Sequence, residues 1–174
     1  GSLILSSATT VAEAKMLFDA GVDGIIAQGW EAGGHRGTFN ISFEDFGVGT
    51  MALVPQIVDA VDVPVIAAGG IADGRGIAAA FALGACGVQM GTAFLSCPGA
   101  NISDAYREEL RTPLPDFPTM YGFSSPLMQA SAITGNPDFQ FILYGQAAAL
   151  NRELPAADLM ARLIDEAQKA LMLH

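Results

Sequence analysis

Phe18-Asp-Ala-Gly-Val-Asp-Gly-Ile25 is echoed further along the chain by Phe81-Ala-Leu-Gly-Ala-Cys-Gly-Val88. Each copy closes a helical pattern and then places a glycine, Gly21 or Gly84, where a helix ends on a left-handed C′ residue. A second glycine, Gly24 or Gly87, opens an apolar run and leaves room for helix and strand to pack closely. A unit that repeats as helix end, turn and strand is a βα unit. Its product is either a barrel or a doubly wound parallel sheet.

Working outward, four short apolar runs read as strands: Leu3–Ser6, Gly24–Gln28, Pro64–Ala68 and Gly87–Met90. Each is nearly continuous in apolar residues, which predicts parallel strands covered on both faces. Helical periodicity separates them over Val11–Ala20, Thr50–Ala60 and Arg75–Leu83. After Phe94 the character changes. Asn101–Arg111 reads as a surface helix, and Thr112–Pro137, with five prolines, as irregular chain. Tyr144–Glu153 and Ala156–Leu171 read as helical. The last carries a stripe of Leu159, Leu163, Ala167 and Leu171, with Pro155 suited to its first turn. The expected organisation is a strand-and-helix part over residues 1–100 and a helical cap over 101–174 that packs on it. A complete (β/α)8 barrel takes about 250 residues, against 174 here. The chain is therefore expected to be a half-barrel that pairs, a small open α/β domain, or a piece of a larger barrel.

The composition narrows the partners. Half of the residues (51%) are apolar, enough for a sizeable core, and the formal net charge is −10. That charge opposes nonspecific binding to nucleic acid or to an anionic membrane. It does not oppose a local phosphate site built from backbone N–H groups. No apolar run reaches the roughly 18 residues of a membrane span, and the first residues show no signal-peptide pattern. Cys86 and Cys97 have neither metal spacing nor a disulfide framework, and both fit a reducing cytoplasm. No metal site is expected.

Three segments carry candidate chemistry, each following a strand. Gln28-Gly-Trp-Glu-Ala-Gly-Gly-His-Arg-Gly37 sets His35, one of two histidines, among glycines that permit close approach of a ligand. An imidazole exchanges protons near neutral pH, so His35 is the candidate general base. Glu31 and Arg36 are either substrate contacts or a loop ion pair, and Trp30 reads as packing. Ala67-Ala-Gly-Gly-Ile-Ala-Asp-Gly-Arg-Gly76 opens a helix with Asp73 as candidate N-cap. Its Gly69-Gly70 turn, at a helix N-terminus, is a phosphate-site signal. Gly74-Arg-Gly-Ile-Ala-Ala79 also satisfies G-x-G-x-x-A, but the acidic residue that a dinucleotide site wants about 20 positions on is missing from Phe94-Leu-Ser-Cys-Pro-Gly99. Gln89-Met-Gly-Thr92 ends the fourth strand, where its amides and the Thr92 hydroxyl could complete a phosphate cradle.

Taken together, these segments resemble the nitronate monooxygenases, once called 2-nitropropane dioxygenases. The matching residues are Leu5-Ser-Ser-Ala-Thr9, Gln28-Gly-x-Glu-Ala-Gly-Gly-His-Arg-Gly37, Val65-Ile-Ala-Ala-Gly-Gly-Ile-Ala-Asp-Gly74 and Gln89-Met-Gly-Thr92, with Tyr144-Gly-Gln146 and Arg152-Glu-Leu-Pro155 in the tail. The resemblance implies a TIM-like barrel that binds FMN, of which only about strands five to eight are present. It implies that Gln28 and Gly33 contact the flavin, and that Gly70, with Gln89, Met90, Gly91 and Thr92, holds the FMN phosphate. His35 matches the family's catalytic base, and the implied reaction is oxidation of an alkyl nitronate, with O2 reoxidising the flavin. The first four βα units of the family have no counterpart here, so the expectation is a truncated product of a longer protein. Its two open sheet edges would invite pairing into a homodimer.

Two other readings stand beside this one. A flavin enoyl-reductase of fatty-acid synthesis shares Glu-Ala-Gly-Gly-His, although Gln28 and Arg36-Gly-Thr-Phe39 look more like the nitronate enzymes. A noncatalytic flavin-binding half-barrel is the other. Met120, Tyr121, Met128 and Tyr144 receive no role from the sequence.

Overall fold

A computed structural model of the chain describes residues 1–40, 47–111, 133–134 and 142–172. Four parallel strands form one sheet: β1 (Leu5–Ala8), β2 (Gly24–Gln28), β3 (Val65–Ala68) and β4 (Gly87–Gln89). Their spatial order is their chain order, β1-β2-β3-β4, with Leu5 opposite Gly24, Ile25 opposite Val65 and Ile66 opposite Gly87. This order lacks the reversal that creates the switch point of a doubly wound sheet. Helices α1 (Val11–Asp19), α2 (Thr50–Val58) and α3 (Gly74–Ala82) alternate with the strands. Beyond the sheet follow α4 (Thr92–Leu95), α5 (Asp104–Arg111), a 3-10 turn over Gln146–Leu150 and the long α6 (Ala156–Met172).

Local signals explain where the helices begin and end. Thr10 caps α1, its hydroxyl accepting from the Glu13 amide at 3.1 Å. Asp73 caps α3, accepting from the Arg75 and Gly76 amides at 3.0 and 3.2 Å. Gly21 (φ 84°) and Gly84 (φ 95°) stand in the left-handed region just past the ends of α1 and α3. α2 runs through Pro55, which lacks the N–H its helix would use. It holds because Leu53, Val54 and Ile57 are almost wholly buried against the sheet. Burying side chains of that size contributes about 1.5–3 kcal/mol each.

The structure moves two of the expected elements. The first strand is Leu5–Ala8 rather than Leu3–Ser6, and Leu3 is 81% exposed. Ala8 is the position that reaches the core; the preceding apolar residues lie along an open edge, so an apolar run alone misplaces the strand. Only β2 and β3 are largely buried, because β1 and β4 are edge strands. In the Tyr144–Glu153 stretch, only Gln146–Leu150 turns, and as a 3-10 helix. Thr112–Pro137, apart from Ile133 and Thr134, lies outside the described residues, as do Met120, Tyr121 and Met128. α6 sends Leu159, Leu163 and Ala167 into the core shared by the sheet and α3. Leu110, Tyr144 and Ala148 form a second, smaller cluster.

Candidate functional site

The carboxyl ends of β2, β3 and β4 open into one cleft of about 260 Å3. Gln28 ends β2, Ala68 ends β3 and the Gly69-Gly70 turn follows it, and Gln89 ends β4 with Met90, Gly91 and Thr92 after it. Glu31, Gly33 and Gly34 line it from the loop after β2, while Leu143 and Gly145 close its far wall together with Tyr106 of α5. Gln28, Gly33, Gly69, Gly70, Gln89, Met90, Gly91 and Thr92 thus share one space, although they come from three separate segments. His35 is not among the lining residues. It is exposed, directly after the lining residues Gly33 and Gly34.

The floor of the cleft is glycine backbone shaped by close contact. Gly69 (φ 104°) and Gly70 (φ 70°) both adopt the left-handed region. A Cβ on Gly69 would stand 2.9 Å from the Ala32 nitrogen, and one on Gly70 would stand 3.2 Å from the Glu31 Cβ. The Thr50 hydroxyl meets the Gly69 carbonyl at 2.9 Å and so fixes the turn from behind. No lysine or arginine is found among the described residues lining the cleft. A bound anion there would be met by peptide N–H groups and by hydroxyl and amide side chains.

Glu31 and Arg36 do not form the ion pair considered from sequence. The Glu31 carboxylate takes the Thr50 amide at 2.8 and 3.0 Å, satisfying an orphan donor at the start of α2, where Gly49 offers no side-chain cap. The Arg36 guanidinium lies over the Trp30 ring, 4.4 Å from its centroid. Burial lowers the Arg36 pKa, against the opposing charge of Glu13. Both polar ends of Gln28 are engaged by the histidine loop: Nε2 donates to the His35 carbonyl at 3.0 Å, and Oε1 accepts from the Gly37 amide at 2.6 Å.

The free N–H groups expected at the start of α3 are already used. Asp73 takes two, and the Glu166 carboxylate reaches from α6 to the Gly74 amide at 3.3 Å. The glycine turn before the helix lines the cleft; the helix terminus proper is capped by protein carboxylates. Glu166 also accepts from Arg162 and Arg152, each at 2.9 Å. Burial works against its charge, but Arg162 above all, with Arg152 and Gly74, brings its pKa down to about 2. Asp73 is likewise held below the usual carboxylate range: burial pushes upward, and Arg75 with the Gly76 amide outweighs it.

Sequence reasoning missed the strap over residues 142–147. Tyr106 grips it through its hydroxyl, which accepts from the Leu143 amide at 2.9 Å and also meets the Leu143 carbonyl. The Gly145 amide donates to the Thr92 hydroxyl at 2.9 Å, and the Gln146 amide donates to the Glu31 carbonyl at 2.9 Å. The Thr92 hydroxyl therefore serves the strap as acceptor and keeps its own proton to donate. Asn151 fastens the far end to α4, donating to the Thr92 carbonyl at 2.8 Å. Tyr144-Gly-Gln146 was visible as a motif, but its partners are remote in sequence. Cys97 is buried, which raises its pKa, and Cys86 lies on the surface. Among the described residues there is no cluster suited to a metal, and no helix is long and apolar enough to cross a membrane.

A family model described as nitronate monooxygenase matches residues 1–120. The chain belongs to the nitronate monooxygenase family. A nitronate monooxygenase of Pseudomonas aeruginosa is 42% identical, over 95% of this chain and 57% of that protein. Among solved structures, the nitroalkane oxidase from Streptomyces ansochromogenes superposes with a TM-score of 0.93 at 35% identity, covering 99% of this chain and 59% of that one. FabK from Thermotoga maritima superposes with a TM-score of 0.82 at 29% identity, covering 99% and 63%. The chain thus spans little more than half the length of the nitronate monooxygenases it matches. The α/β architecture with its parallel sheet is the one it shares with these neighbours.

Proposed function

We propose that this chain carries the phosphate-side half of an FMN site in an enzyme that oxidises alkyl nitronates. The carrying observation is the single cleft in which Gln28, Gly33, Gly69, Gly70, Gln89, Met90, Gly91 and Thr92 meet at the ends of three neighbouring strands. Small-molecule sites usually occupy about 300–1,000 Å3, and this cleft, at about 260 Å3, has the size of one part of such a site. The donors suit an FMN phosphate: the peptide groups of Gly69, Gly70 and Gly91 and the Thr92 proton need no cation. In this reading the four strands correspond to strands five to eight of a (β/α)8 barrel, in keeping with the share of each relative that the chain covers.

FMN, when bound, supplies the redox chemistry, with O2 as the final oxidant. The protein's own residues bind, orient and handle protons. Gly69, Gly70 and the Gln89–Thr92 segment hold the phosphate end. Gly33 lines the cleft and leaves room for the Tyr144–Gly145 backbone to close over it, and Gln28 braces the histidine loop. His35 passes a proton to or from the small nitronate or nitroalkane substrate. The second reading, a flavin enoyl-reductase, rests on the shared Glu31–His35 segment; the continuation Arg36-Gly-Thr-Phe39 favours the nitronate reading.

Absorption spectra before and after adding FMN, followed by oxygen uptake with a nitronate, test the proposal. A shifted flavin spectrum and uptake without NADH are expected. NADH-dependent reduction of an enoyl thioester in place of nitronate oxidation would establish the second reading. Flavin binding with neither activity would support a noncatalytic half-site.

A further inference from the structure

We propose that Glu13 is the positioning residue for the His35 loop. This rests on the reading of His35 as the proton-handling group. Glu13 lies in the first turn of α1, yet it is 0% exposed. Its Oε2 accepts from the Thr9 amide at 2.7 Å and the Thr9 hydroxyl at 2.8 Å. Its Oε1 accepts from the Phe39 amide at 2.7 Å and the Asn40 amide at 3.0 Å. The Thr38 hydroxyl adds a further link to Thr9 at 2.8 Å. A burial that would raise the carboxyl pKa is outweighed by the amides of Asn40, Phe39 and Thr9, so the group is held ionised.

Capping α1 does not account for this arrangement. Thr10-Val-Ala-Glu13 has the capping-box pattern, and Thr10 supplies its half of the box. The returning carboxylate passes over the Thr10 amide, takes Thr9 instead, and spends its other oxygen on two amides far along the chain. Those amides follow His35 by four and five residues. The loop is thus held on three sides: Glu31 ties its start to α2, Gln28 grips His35 and Gly37, and Glu13 ties its end to α1. Charge-assisted bonds of this kind are stronger and more directional than neutral ones. Small misplacements of a reacting group cost rate rather than affinity, so a defect at Glu13 belongs in kcat.

The test is Glu13→Gln in the FMN-loaded protein, read by amide hydrogen exchange, by the ring NMR signals of His35, and by nitronate kinetics. The carboxamide keeps one acceptor, so one pair of donors must face an NH2 group. Exchange at Phe39 and Asn40 should quicken roughly tenfold, the His35 ring signals should shift, and kcat should fall roughly tenfold or more with KM nearly unchanged. Ile57→Val, a core change, is the control and should leave the His35 signals in place. If Glu13→Gln does not fold, Thr38→Val, which removes only the hydroxyl link, should give the same pattern in weaker form. Unmoved His35 signals, or quickened exchange with kcat unchanged, would overturn the proposal. If the unaltered protein binds FMN yet consumes no nitronate, the functional reading fails, and the exchange and ring signals alone decide the role of Glu13.

Discussion

Gly33 shows how little freedom single residues of the site have. A methyl group there would overlap the Gly145 amide and stand 2.5 Å from the Tyr144 carbonyl carbon, both backbone atoms of the strap. Gly33→Ala should therefore destabilise the chain by about 1–3 kcal/mol and weaken FMN binding, as followed by urea unfolding and flavin fluorescence. Gly34 offers the contrast. Its φ of 76° is also left-handed, but nothing lies within 4 Å of an added Cβ. Gly34→Ala should bear only the backbone penalty, about 1–2 kcal/mol, and keep flavin binding. His35→Asn should leave FMN binding intact and lower nitronate turnover by about 10²–10⁴-fold, the usual worth of a general acid–base group. Unchanged turnover would remove His35 from the reaction.

Helix α6 is the element that joins the tail of the chain to its sheet. Leu163 is 1% exposed between α6 and the core, so Leu163→Ala should cost about 2–5 kcal/mol in thermal or urea unfolding. Glu166 makes the same contact dependent on pH. Its folded pKa of about 2 lies below the ordinary 4.5, so the folded chain binds fewer protons than the unfolded chain between those values. The stabilisation is full above about pH 4.5 and is lost as pH falls toward 2. Unfolding midpoints measured down that range should decline in the unaltered protein and less steeply in Glu166→Gln. α2 shows an element decided by packing: an interior proline costs about 3 kcal/mol, and the burial of Leu53, Val54 and Ile57 on the sheet offsets it.

The whole molecule presents a parallel sheet with β1 and β4 at its edges. Leu3, Ile4 and Leu5 lie exposed along one edge. Along the other, Phe81, Met90 and Phe94 line an apolar groove with Met160, Ile164 and Leu171 of α6. Unpaired edges of this kind recruit other strands. Sedimentation of the isolated chain should show concentration-dependent self-association, and replacing Ile4 with lysine should reduce it. A strictly monomeric chain over the same range would show that these edges are tolerated as they stand.

What the sequence by itself determined was local. The cap at Asp73, the left-handed glycines Gly21 and Gly84, and the strand–helix alternation depend on near neighbours, and each was legible as a short pattern. The segments that meet in the cleft were legible too, because glycines after apolar runs announce close backbone approach. Tertiary structure alone decided the rest. It settled which apolar runs are buried, since an edge strand and a central strand share a composition but differ in neighbours. It gave Glu13, Glu31 and Glu166 their partners, and brought the strap over residues 142–147 to Thr92 and Tyr106. A carboxylate or hydroxyl carries no sequence mark of a donor tens of residues away; only the closed chain brings the two within hydrogen-bonding distance.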